Sequence, residues 1–126
     1  MSGRVVHFEI PYEDGGRARS FYSQIFGWHM TEMPGEEYAL AITGPTGEQG
    51  PPSEPGFING GMLPRHEPHH APTVVVDVDD IDAALEKIEG LGGSTVIGKQ
   101  PVGEMGFAAY FRDPEGNLVG LWETAR

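Results

Sequence analysis

The chain has 126 residues, no cysteine, 8 Lys plus Arg against 19 Asp plus Glu, and a formal net charge of -11. That length suits one domain with a core that needs no covalent staple, and the absent cysteine rules out disulfide, thiolate-metal and cysteine-nucleophile chemistry. The acidic balance argues against nucleic acid and anionic membrane, which both select clustered Lys and Arg. No apolar run is long enough for a membrane span and "MSGRVVHFEI" shows no secretory pattern, so the expected location is cytoplasmic.

From Arg4 to Ile10 the chain alternates, with Val6, Phe8 and Ile10 in one apolar row and His7 and Glu9 on the opposite face of a strand. Asp14 then precedes "GGRARSFYSQIFG", where Ala18, Phe21, Tyr22 and Ile25 form the stripe of an amphipathic helix that Gly27 stops. Three strand-like runs follow, Trp28 to Glu32, Tyr38 to Ile42 and Phe57 to Met62, with the Pro and Gly loop Gly44 to Gly56 between the last two. "PRHEPHHAP", residues 64–72, reads as an exposed extended linker. Its His66, His69 and His70 lack the fixed, supported geometry of a metal site.

The same order then returns. Val74, Val76 and Val78 form the apolar row of a strand, with Thr73, Val75 and Asp77 facing the other way. Asp79 or Asp80 caps a helix whose stripe is Ile81, Ala84, Leu85 and Ile88, and the glycines at 90, 92 and 93 end it. Strand runs Thr95 to Ile97, Phe107 to Phe111 and Leu118 to Glu123 follow, the last two joined by the turn "DPEG" at Asp113 to Gly116. An offset of 66 residues lays His7 on Thr73, Ile10 on Val76 and Gly27 on Gly93. The chain is thus an α+β protein of two βαβββ modules, 1–63 and 73–126, joined by the linker 64–72 into one structural domain.

Paired βαβββ modules of this length, a strand His near the N-terminus, "FYSQIFGW" at the end of the first helix and "FRDPEGNLVGLWE" near the C-terminus resemble the vicinal oxygen chelate superfamily. This group holds the glyoxalases, bleomycin-resistance proteins and extradiol dioxygenases. The resemblance implies mixed sheets curled into a cup, with a divalent metal bound by His or Glu from four strands. Its first ligand falls on His7. The others fall on Thr73, on Gly120 and near Gly60 or Gly61, so three of the four positions offer a poor ligand or no side chain. Glu9, on the face of His7, is the one substitute; Glu123 is an odd number of residues from Gly120 and points away.

Three functions are consistent with this pattern. The first is a cup without metal or other cofactor that binds a small, planar organic molecule. His7, Glu9, Thr73, Tyr110, Gly120 and Trp122 are its pocket residues, no residue is assigned as catalytic, and the cup is enlarged by the glycines. In it His7 is a hydrogen-bonding group, a base or, if a metal binds at all, its ligand, and Glu9 a paired carboxylate or a base. Tyr110 enters the cup as a dioxygenase Tyr does, and Trp122 is an aromatic floor, a dimer contact or core. The second is a glyoxalase-like lyase, isomerase or dioxygenase with an altered site for Zn, Ni, Mn or Fe, and the third an interaction protein with a collapsed cup. A homodimer is expected in each case, since short curled sheets leave edges to cover.

Overall fold

Eight strands and two helices, in the order βαβββ twice over, make up the described part of the chain, residues 3–35, 37–47 and 51–126 of a computed structural model. Of the expected loop at Gly44 to Gly56, residues 48–50 lie outside the described residues. The chain forms two units. The first is His7–Pro72, and the second joins the residues up to Val6 with Thr73–Arg126.

In the first unit, strands β1 (Val5–Tyr12), β2 (His29–Glu32), β3 (Ala39–Ile42) and β4 (Asn59–Pro64) form a mixed sheet in the order β2-β3-β4-β1. β1 runs parallel to β4, with His7 opposite Asn59 and Glu9 opposite Gly61, and the other pairs are antiparallel. Helix α1 (Gly15–Phe26) starts where the Asp14 side chain accepts from the Arg17 amide. It ends at Gly27, whose φ of 74° is the left-handed conformation a side chain resists.

The helix is turned about its axis from the expected stripe. Phe21 and Ile25 are 60% and 59% exposed, and the residues facing inward are Gly15, Ala18, Arg19, Tyr22 and Ser23. The cause lies just beyond the helix, where Trp28 folds back and stacks on Tyr22 at 5.1 Å between ring centres while Phe8 meets the indole at a tilt, 5.6 Å between ring centres. This aromatic stack, worth about 1 kcal/mol per ring pair beyond burial, sets the rotation. Hydrophobic spacing alone could not choose between Phe21 and Tyr22, which are adjacent on the helix.

The second unit repeats the topology with β5 (Thr73–Asp77), α2 (Ile81–Gly90), β6 (Ser94–Val102), β7 (Gly106–Arg112) and β8 (Leu118–Thr124), in the sheet order β5-β8-β7-β6. Here the expected stripe does face the sheet. Ile81 and Leu85 are buried with Ala109 and Leu121, and Val76, Val78, Ala84, Ile88, Phe107 and Phe111 close around them. Burying one such Ile or Leu contributes about 2 kcal/mol. Asp80 is the N-cap, accepting from Ala83, and Glu123 turns to the same helix end and accepts from the Ile81 amide at 2.9 Å. β6 extends well past the expected Thr95 to Ile97. As the outer strand it bonds on one side only, so it tolerates Gly98, Pro101 and two register shifts.

The linker departs from the extended, exposed reading. His66 and His69 bridge, with the His69 amide donating to the His66 carbonyl at 2.6 Å, and His69 is only 6% exposed. None of the described helices is long and apolar enough to cross a membrane.

Candidate functional site

β1 brings His7 and Glu9 to one face of the first unit's sheet, two residues apart, as alternation requires. Glu9 is 5% exposed, deeper than the apolar neighbours Phe8 and Ile10, so this polar face is an interior one. A buried carboxylate needs polar partners, and a hydrogen-bond donor and a histidine at ion-pair distance arrive from elsewhere in the unit. The Tyr38 hydroxyl donates to Glu9 Oε2 at 3.0 Å, and His69 Nε2 lies 3.3 Å from Oε1. Tyr38 also meets His7 Nε2 at 2.8 Å. Four side chains thus form one line, His69, Glu9, Tyr38, His7.

Gly61 makes the line possible. Paired with Glu9 across the parallel ladder, it sits on the His7 face, and a β-carbon there would collide with the Tyr38 hydroxyl. Gly60 belongs to the opposite face, where the Phe8 ring covers it. The expectation that these glycines leave open volume is therefore corrected: aromatic side chains fill both places. Burial pulls the His7 pKa below 6.5, the larger effect, while the Glu9 charge pulls the other way.

The second unit holds the other expected residues. Thr73 is buried at the start of β5. Tyr110 and Gly120 are paired across β7 and β8, and a β-carbon on Gly120 would meet Val75 Cγ2 at 3.0 Å and Tyr110 Cε1 at 3.2 Å. The space left by the missing side chain is again filled, here by an aliphatic and an aromatic group. Trp122 lies beside Gly106, leaving no room there for a β-carbon 2.6 Å from its ring, and its Nε1 donates to Thr124 Oγ1 at 3.0 Å. His7 and Glu9 are thus joined within the first unit; Thr73, Tyr110, Gly120 and Trp122 belong to the second.

Two members of the line escaped the sequence reading. Tyr38 had a signal: a tyrosine opening a strand two strands from His7, with a glycine between that can let a ring cross. His69 had none, because one of three histidines among prolines carries no periodicity that sets it apart from His66 and His70.

With this geometry in view, the chain matches the Glyoxalase/Bleomycin resistance protein/Dioxygenase superfamily over residues 4–121, and it belongs to that family. It is 31% identical over 123 residues to CFP32 of Mycobacterium tuberculosis, whose name marks it as a candidate glyoxylase, in an alignment covering 94% of this chain and 44% of the relative. A Didymella fabae glyoxylase-like domain-containing protein is 31% identical over 128 residues, covering 96% of this chain and 94% of the relative. The anthracycline biosynthesis protein DnrV of Streptomyces peucetius is 25% identical over 147 residues, covering 95% and 46%. The chain thus spans about half the length of CFP32 and DnrV. Among solved structures, methylmalonyl-CoA epimerase of Mycobacterium tuberculosis aligns with a TM-score of 0.62 at 18% identity, covering 98% of this chain and 89% of that one. A superfamily member from Vibrio splendidus gives 0.62 at 16%, covering 96% and 98%. At such identities the likeness is one of fold.

The divalent metal that the resemblance implies does not fit the residues present. His7 Nε2 is engaged by Tyr38, the Gly61 position is filled by that same hydroxyl, Gly120 is packed against Val75 and Tyr110, and Thr73 is a poor ligand. Among the described residues no three His, Asp or Glu side chains converge.

Proposed function

We propose that this chain binds a small organic molecule at the His7 face of the first unit without a metal. The observation that carries the reading is the Tyr38 hydroxyl, which stands where the missing side chain at Gly61 would reach and ties His7 to Glu9. A site whose donors and acceptors bond one another, at fixed positions on strands, orients a guest by hydrogen bonds rather than by Lewis acidity. A planar guest suits a face where the Tyr38 ring lies nearly parallel to His7, 6.5 Å between ring centres, and the DnrV relative is named for anthracyclines, which are planar polycyclic molecules.

The test has two arms. Protein purified without a His tag is analysed for metal by plasma emission, and a library of planar metabolites and antibiotics is screened by thermal shift and calorimetry against the native chain and His7→Ala. The reading expects less than a tenth of an equivalent of metal and a guest lost with His7→Ala. Near one equivalent of Zn, Ni, Mn or Fe, with glyoxalase or ring-cleaving activity that disappears in His7→Ala, would replace it with the enzyme.

A further inference from the structure

We infer that the line His69, Glu9, Tyr38, His7 has a fixed direction, which holds His7 as the Nε2–H tautomer and makes Nδ1 the acceptor for an N–H or O–H donor on the guest. The inference deepens the binding reading and depends on it only for the guest. It follows from counting protons. An ionised carboxylate accepts and cannot donate, so the single Tyr38 proton lies toward Glu9 Oε2 at 3.0 Å. The Tyr38 oxygen then presents only lone pairs to His7 Nε2, 2.8 Å away. A contact that short between two lone pairs is repulsive, so Nε2 supplies the hydrogen. A neutral imidazole carries one N–H, and Nδ1 is left as the basic atom.

The opposite direction needs a protonated Glu9 that donates to Tyr38, which then donates to His7 and leaves Nδ1 with the hydrogen. His69 opposes it. Its Nε2 is 3.3 Å from Glu9 Oε1 with both side chains 7% exposed, an ion-pair distance without hydrogen-bond alignment, and an imidazole N–H that near a buried carboxylate favours the ionised form through its field. His69 is thus a positioning residue that acts on the guest's acceptor through two intervening side chains. The line also assigns Nε2, the outward nitrogen of the ring, to Tyr38, so a cation there has to displace the hydroxyl. The ligand class that follows is an organic molecule with a hydroxyl or N–H on a flat framework.

The tautomer is read directly from long-range proton–nitrogen correlations of the uniformly 15N-labelled full chain at pH 7.5, with His7 assigned by its loss in His7→Gln. The expected result is a protonated-type Nε2 and a lone-pair-type Nδ1, with this preference lost in Tyr38→Phe. An Nδ1–H tautomer in the native chain overturns the direction, and so does a preference unchanged in Tyr38→Phe; should that variant not fold, the native spectrum decides alone. One equivalent of zinc chloride leaves the His7 signals in place; a shift of Nε2 overturns its assignment to Tyr38. For the guest, 1-naphthol moves the Nδ1 signal and its methyl ether binds about tenfold more weakly. Equal binding of the two overturns the acceptor role. Binding of neither, with the tautomer intact, overturns the binding reading while the direction of the line stands.

Discussion

The two units use one device to opposite ends. In each, the first strand runs parallel to the last, a glycine of the last strand faces a first-strand residue, and a tyrosine from the neighbouring chain segment lies over that glycine. In the first unit the set is Glu9, Gly61 and Tyr38. In the second it is Val75, Gly120 and Tyr110. The residue beneath the tyrosine differs, carboxylate against valine, and so does the strand neighbour two residues earlier, His7 against Thr73. Beside Glu9 its hydroxyl becomes part of a buried polar line that draws in His7 and His69; beside Val75 its ring packs on a methyl group. The repeat preserves the backbone arrangement that brings an aromatic group over the sheet, and the chemistry rests on the first-strand residues beneath it.

If that is right, the first-strand residue should matter very differently in the two units. Glu9→Ala leaves Tyr38 without its buried acceptor and removes the carboxylate 3.3 Å from His69, and its expected cost is about 3 kcal/mol in urea unfolding. Val75→Ala removes two methyl groups from a packed site, for about 1 to 2 kcal/mol. Equal effects would mean that the polar line adds nothing beyond packing. The glycines sharpen the point. Gly61→Ala sets a methyl against the Tyr38 hydroxyl and should cost about 2 kcal/mol, whereas at Gly120 the nearest atoms are 3.0 and 3.2 Å away and a small shift admits the methyl for about 1 kcal/mol or less. Gly61→Ala should also release His7 from Tyr38, visible as a change in its ring signals.

How far the sequence showed these things depends on the kind of order involved. The two-fold βαβββ plan was legible because apolar periodicity and turn residues are local, and α2, capped by Asp80 and striped by Ile81 and Leu85, lies as its spacing says. Helix α1 was legible as a helix but not in its rotation, since Trp28 folding back onto Tyr22 is a tertiary event. His7 and Glu9 were legible as a pair on one strand face. The partners were not. Tyr38 and His69 are 29 and 60 positions from Glu9, and nothing in alternation or spacing carries a contact over that distance. The glycines misled for the same reason: a missing side chain reads as space, although a ring from another segment occupies it.

The linker tests this limit. On sequence its three histidines are alike, yet only His69 is buried; His70 pairs with Glu67 in solvent, and His66 is exposed. His69→Ala should therefore cost about 1 to 2 kcal/mol through the buried ring and the polar partner lost beside Glu9, and His66→Ala and His70→Ala should each stay within about 0.5 kcal/mol. Three equal, negligible effects would return the linker to the solvated strap its prolines suggest.

The smallest expected effect is on pH, and it separates the units because the second has Thr73 where the first has His7. The folded pKa of His7 is lowered from 6.5, mainly by burial. At a pH between the folded and unfolded values the unfolded chain binds a proton that the folded chain does not, so stability rises with pH there. The contribution is complete above about 6.5 and is lost as pH falls from that value toward the folded pKa. Protonating His7 in the folded chain adds an N–H to Nδ1, so a guest held by that acceptor should leave at lower pH still, around the folded pKa. Urea midpoints at pH 7.5 and 5.5 should differ more in the native chain than in His7→Gln, which keeps a polar side chain and cannot titrate. Glu9 and His69 flank the network in both proteins, so subtracting the two differences isolates the imidazole. A larger loss of stability in His7→Gln than in the native chain on acidification would show that the folded state favours charged His7, contrary to its burial.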